Sequence, residues 1–339
     1  MCTQMISKIN NNKYNYGTAI LSAFEYLLEN YKDTFIIGQG LWSPWYVGNS
    51  MTDLDKKFGK DRVIDTPVSE AATTGAAIGA SLADMRPIVI HPRMDFMLYA
   101  MDAIVNQAAK WSHMFGGQDN PKVTIRSIIN RGGEQGAQHS QALHAWFAHV
   151  PGLRVVMPST VADARDLLIS SVLCDDPVIY IDDRWLYEQE DELPPIKEVS
   201  LKKQKPQVSF EGRDVTIVAS GHSSYITREA HQKLKDLNIS SEVIDVRVLN
   251  PLYIDDIVKS VKKTKKLVVV DPGWLSSGFS AELVSKIVEN LEANCLESPP
   301  LRIALPDAPA PTASLLEKEY YFSSDTITLK IKKMFDNIS

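Results

Sequence analysis

The sequence predicts an α/β protein made of two doubly wound domains, and three observations carry that prediction. Short β-rich runs alternate with helix-length segments along most of the 339 residues, the pattern of βα crossovers and a mostly parallel sheet. A charged stretch with a Pro194-Pro195 pair, YEQEDELPPIKEVSLKKQKPQV at 187–208, interrupts the alternation in the manner of a linker. A hydrophobic content of 44% is enough to bury two cores, since domains usually run to about 100–200 residues.

The elements follow in order. A first domain over 14–188 holds the strand candidates TFIIG (34–38), RPIVI (86–90), VTIRSII (123–129), LRVVMP (153–158) and PVIYID (177–182). The linker occupies 189–208. A smaller domain over 209–339 holds DVTIVAS (214–220), SSEVIDVRVL (240–249) and KKLVVVD (265–271), with helical patterns near 224–237, 253–263 and 279–293. The net charge of −6 supplies no basic field for a phosphate backbone, which argues against nucleic acid as a partner. Cys2, Cys174 and Cys295 lie far apart and form no CxxC pair, so a reducing cytoplasm is the expected setting. No run approaches the ~20 apolar residues of a membrane span, and the N-terminus has no apolar signal core.

Four segments are candidates for chemistry. DTPVSEAATTGAAIGASLADM (65–85) predicts a helix that opens near Pro67, is capped by Ser69 and is apolar all round, hence buried. Glu70 in its first turn is either a carboxylate favoured by the macrodipole or a desolvated acid awaiting a ligand nitrogen. RGGEQGAQHSQALHAWFAHV (131–150) predicts a Gly-rich loop and then a helix opening at Ser140-Gln141. His139 at that junction is either an acid/base group held neutral by the helix N-terminus or a surface residue. His144 and His149 do not match a zinc spacing. RPIVIHPRMDFMLYAMDAIVNQAAKW (86–111) predicts a strand running into a long helix, with Phe96 and Tyr99 on one face. Those two rings either pack in the core or border the carboxyl edge of the sheet, where ligands bind in such folds. FIIGQGLWSP (35–44) imitates a dinucleotide fingerprint, but Ser43 stands in for the third glycine and Pro44 follows.

Taken together, RVIDTPVSEAATTGAAIGASLADMRPIV, AMDAIVNQAAK, QHSQALHAWFAHVPGLRVVMPST and DDPVIYIDD in the first domain resemble the beta subunit of the decarboxylating component of 2-oxoacid dehydrogenases. GRDVTIVASGHSSYITREAHQKL, IDVRVLNPLYIDDIVKSVKKTKKLVVVD and LRIALPDAPAPT extend the likeness through the second. The resemblance implies a transketolase-like pyrimidine-binding domain followed by a transketolase C-terminal-like domain. It implies thiamine diphosphate as cofactor, with Glu70 bonded to the aminopyrimidine ring and promoting the tautomer that deprotonates the thiazolium. Phe96, with Tyr99 and Pro92, would pack on the cofactor, and His139 would serve acyl transfer. No GDG segment occurs in the chain, so the resemblance assigns the diphosphate and its Mg2+ to an alpha subunit in an alpha-2 beta-2 assembly. A lipoyl acyltransferase is the acceptor partner it suggests, and a small 2-oxoacid the substrate.

The chain departs from the pattern in places. Gln39 replaces an acidic residue of the family, IHPRMDF (90–96) replaces EFMTFNF, and Cys174 replaces an aspartate beside the family's potassium site near 171–176. His91, Arg93 and Arg131 are therefore candidate substrate contacts, with Arg184 a further arginine able to clamp an anion. The rival readings are a split transketolase-like or carboligating enzyme acting on a sugar or other carbonyl, and a non-catalytic assembly partner.

Overall fold

The computed structural model describes residues 13–45 and 47–336; Cys2 lies outside them. Fourteen strands are present among these: β1 Lys13–Asn15, β2 Thr34–Gly38, β3 Val63–Asp65, β4 Arg86–His91, β5 Thr124–Ile129, β6 Arg154–Val156, β7 Val178–Asp183, β8 Glu190–Glu192, β9 Gln207–Phe210, β10 Val215–Ala219, β11 Ser241–Asp245, β12 Val248–Asn250, β13 Leu267–Trp274 and β14 Leu301–Leu305. Seven form one sheet in the order β12-β6-β7-β5-β4-β2-β3, parallel except where β12 meets β6. Five form a second in the order β14-β13-β10-β11-β9, parallel except at β9. Both central strand sets are buried on two faces, which is why they read as continuous Val/Ile runs rather than alternating ones.

The expected strand 240–249 is two strands. After β11 the chain crosses from the second sheet to the first: Val246 N–H donates to the Ala219 carbonyl at 2.8 Å, and the Arg247 carbonyl accepts from Met157 N–H at 2.9 Å. The two sheets consequently share one apolar cluster, in which Val89, Ile125 and Ile179 pack with Val218, Ile244 and Val269. The linker is tied down at intervals, by β8 pairing with β1 and by the buried Leu201.

Two helices differ from expectation. The helix Glu70–Ser81 buries Thr73, Thr74, Ala77, Ile78 and Ser81, while Ala71, Ala72, Gly75, Ala76 and Gly79 are exposed. It is half-buried rather than enclosed, and Ser69 at its N-cap makes no capping hydrogen bond. The segment after β4 is not one long helix: it breaks into Met94–Met97, a 3-10 turn Leu98–Ala100 and a π-helical stretch Asp102–Ala108. Among the described residues no helix is long and apolar enough to cross a membrane.

Candidate active site

In the larger sheet the chain runs from β2 to β3 on one side and then returns to β4 on the other, so the carboxyl ends of β2 and β4 form the crevice where such sheets bind ligands. The turn leaving β2 is fixed by Asp65 at the end of β3, whose carboxylate accepts from Gly40 N–H at 2.6 Å. This is the structural use of the glycines at 38–40; they open no dinucleotide-binding turn.

A narrow cleft of about 10 Å³ lies at this crevice, lined by Gln39 after β2, Thr66 after β3, Glu70 and Thr73 on the helix, and Ile90 and His91 at the end of β4. Glu70 is half-buried, and its carboxylate has no hydrogen-bond or ion-pair partner among the described residues. Its position in the first turn gives partial macrodipole stabilisation, but none of the described residues neutralises it. His91 is buried, and its Nε2 lies 3.0 Å from the Thr74 hydroxyl. Burial holds the imidazole pKa down at about 4, so the ring is neutral at pH 7 and contributes no charge toward Glu70.

Phe96 and His139 meet edge to face with ring centroids 5.3 Å apart, and both are partly exposed. Tyr99 is 74% exposed, so neither aromatic of this pair sits in the core. The helix expected to open at Ser140-Gln141 begins instead at His144 and ends at Ala148. What holds His139 is therefore not a helix terminus but a pinned loop. Asp95 Oδ1 accepts from the Gln141 backbone N–H at 3.1 Å and from its side-chain amide at 3.0 Å. Burial raises the Asp95 pKa against those hydrogen bonds, and its second oxygen, Oδ2, is buried without a partner. Gly132 and Gly136 carry positive φ there, and a Cβ would meet the Trp185 indole and the Thr312 side chain. Asp95 was not singled out from sequence; its only local signal is its place beside Phe96 in the first turn of a helix.

The remaining candidates separate. Arg131 is buried: its Nε donates to Asp183 Oδ2 at 3.0 Å, its Nη2 also reaches that oxygen, and its Nη1 donates to the Pro272 carbonyl at 3.1 Å. It thus ties the end of β5 to β7 and to the second sheet. His144 does similar work, with Nε2 2.9 Å from Asp271 Oδ1 and both groups buried. Burial alone raises the Asp271 pKa, but His144 and the N–H groups of Gly273 and Ser280 outweigh it and hold the carboxyl low. Arg93 donates to Gln135 Oε1 at 2.9 Å and, with Pro92, Asn130 and Arg184, lines a separate cavity of about 190 Å³. Behind it Arg126, buried with Asp182 and Ser50, donates to Asp182 at 2.8 Å, to Ser50 at 2.8 Å and to the partly buried Tyr187 at 2.7 Å. A cavity of about 770 Å³ opens beside Trp146 and Phe279 and shares no lining residue with the Glu70 cleft.

Comparison with known proteins agrees with this architecture. The transketolase pyrimidine binding domain matches residues 12–189 and the transketolase C-terminal domain residues 204–327. The chain is 36% identical over 319 residues to a mitochondrial pyruvate dehydrogenase E1 component subunit beta of Dictyostelium discoideum, covering 93% of this chain and 89% of that protein. It is 35% identical over 274 residues to the acetoin:2,6-dichlorophenolindophenol oxidoreductase subunit beta of Bacillus subtilis, covering 81% and 80%. Against the E1 subunit beta of Rhizobium meliloti it is 34% identical over 287 residues, 85% of this chain but only 62% of that longer protein. A solved structure described as a split gene transketolase, inactive beta4 tetramer, superposes with a TM-score of 0.74 at 19% identity, covering 94% and 96%. At that identity it speaks for the fold alone. The two matched domains in series and the near full-length relatives show that the chain belongs to the family of pyruvate dehydrogenase E1 component beta subunits.

Proposed function

We propose that this chain is the beta subunit of a thiamine-diphosphate-dependent 2-oxoacid dehydrogenase, with Glu70 as the carboxylate that meets the cofactor's aminopyrimidine. The observation that carries this is the unpartnered Glu70 carboxylate in a narrow cleft at the carboxyl ends of β2 and β4. A half-buried carboxylate without a protein partner suits a ring nitrogen carrying a proton, so the residues present fit the group. When bound, thiamine diphosphate supplies the nucleophilic carbon and electron sink for decarboxylating a 2-oxoacid. With the cofactor bound, Glu70 would accept a hydrogen bond from its aminopyrimidine and would be the chain's proton-exchanging group there. Phe96 would offer an apolar surface and Asp95 holds the loop that would present His139 as a proton donor during acyl transfer, whereas Pro92 lines the neighbouring cavity and the exposed Tyr99 lines neither.

The cleft is open along the uncovered face of the Glu70–Ser81 helix, where a Cβ at Gly75 or Gly79 would meet nothing within 4 Å. We place an alpha subunit against this face, supplying the diphosphate and Mg2+ contacts that a chain without a GDG segment lacks. No potassium ion is assigned near 171–176: the carbonyls of Val172 and Cys174 accept from Arg86 Nη1 at 3.1 Å each, and Asp175 pairs with the same guanidinium. A lipoyl acyltransferase is the acceptor we expect. Cys174 and Cys295 are free thiols, in keeping with a cytoplasmic setting.

The test is to co-express the chain with an alpha-type subunit, add thiamine diphosphate and Mg2+, and screen 2-oxoacids for decarboxylation with a dye acceptor. Turnover that requires both chains supports the proposal. A folded, assembled complex that decarboxylates none of them refutes it.

A further inference from the structure

We infer that the cavity lined by Arg93, Arg184 and Asn130 is a subsite for a second anionic group on the substrate, a carboxylate or phosphate beyond the 2-oxoacid itself; this rests on the function proposed above.

No Asp or Glu lines the cavity, although the chain as a whole carries a net charge of −6. Its two arginines come from different strand ends, Arg93 after β4 and Arg184 after β7, and converge on one volume of about 190 Å³. Arg93 is held by a neutral partner, the Gln135 amide oxygen, and the Arg184 guanidinium has no hydrogen-bond or ion-pair partner among the described residues. The two carboxylates that precede Arg184 in the chain are already engaged, Asp182 by Arg126 and Tyr187, and Asp183 by Arg131. Two unneutralised forks suit carboxylate or phosphate oxygens, which each fork can bind bidentately.

An independent feature points the same way. Asn130 is only 8% exposed, yet its side-chain amide makes no hydrogen bond with the described residues, and it lines this cavity. Its amide atoms open onto the cavity, where water or a bound group can satisfy them. The cavity also lies where a substrate bound near Glu70 would extend: in the run His91–Pro92–Arg93 the first residue lines the Glu70 cleft and the next two line the subsite. Tyr187 is fixed beneath by its bonds to Arg126 and Asp182, which makes that wall rigid.

The experiment has two arms. In the first, inorganic phosphate and succinate are titrated calorimetrically into the full chain, alone and with its alpha-type partner. Binding should weaken at least tenfold in Arg93→Met and Arg184→Met and less in Arg184→Lys, and the tighter probe identifies the anion. In the second, kcat/KM of the complex is compared for pyruvate, for 2-oxoglutarate and for a 2-oxoacid carrying a terminal phosphate. Arg184→Met should lower the value for the better dianion at least tenfold and leave pyruvate within twofold. Equal losses for mono- and dianionic acids, or absence of arginine-dependent probe binding, overturns the subsite. So does a variant that fails to associate with the alpha chain, since the arginines then pair with that chain's carboxylates. Arginine-dependent probe binding in a complex that decarboxylates no 2-oxoacid supports the subsite while refuting the function it rests on.

Discussion

Lowering the pH from 7.5 to 5 perturbs the Glu70 cleft through His91. Burial holds this imidazole at a pKa of about 4, against about 6.5 in an unfolded chain. Below pH 6.5 the unfolded chain takes up a proton that the folded chain refuses, so stability is complete above that value and falls as the pH drops toward 4. Over the window 7.5 to 5 the two pKa values give a loss of about 2 kcal/mol from this residue. His91→Gln removes the titration and keeps a polar group facing Thr74 Oγ1, to which the ring bonds at 3.0 Å. Urea denaturation of parent and variant at both pH values isolates the contribution, because every other group titrates in both. With an m value of about 3 kcal/mol/M, the parent midpoint should fall about 0.7 M further than that of the variant. Parallel behaviour of the two proteins would refute the neutral, desolvated imidazole.

Further expectations concern the groups around the site. Asp182→Ala leaves the fully buried Arg126 uncompensated and should cost about 3–5 kcal/mol in urea denaturation, most of it regained in Arg126→Met/Asp182→Leu. His139→Ala should slow acyl transfer about 100-fold and decarboxylation much less, as read from the two half-reactions separately; equal losses would argue against its role as proton donor. Asp95→Ala frees Gln141 and should slow the His139-dependent half-reaction about tenfold, with rescue by Asp95→Asn, which retains the accepting oxygen; an unchanged rate would detach Asp95 from the loop's placement.

Local pattern carried the sheets well. TFIIG is β2 residue for residue, and RPIVI is β4 but for His91, because continuous β-branched runs between helix-length segments have few other solutions in an α/β fold. The segment 240–249 reads as one strand for the same reason: its valines and isoleucines continue across both halves, and no turn residue marks the crossing at Val246 and Arg247 into the other sheet. The loop before His144 was expected to be helical because Ser140-Gln141 resemble a helix start, yet the Gln141 N–H is claimed by Asp95, 46 residues away. The Ala/Gly-rich helix was read as enclosed, since its composition is apolar on every side; the open face is legible only once the chain's own packing is known. Glu70, Phe96 and His139 are candidates by motif and His91 by its departure from the family pattern, and they lie at strand ends or in the connections that follow them. Arg131 and His144 owe their places to Asp183 and Asp271, 52 and 127 residues away, and no local spacing discloses such partners.

The most direct measurement is steady-state 2-oxoacid decarboxylation by the complex of this chain with its alpha-type subunit, parent against Glu70→Gln, at saturating thiamine diphosphate and Mg2+. Glutamine preserves size and removes the acid, so the account predicts a fall in kcat of at least about 100-fold in a complex that still assembles. Undiminished turnover by the assembled Glu70→Gln enzyme would contradict it.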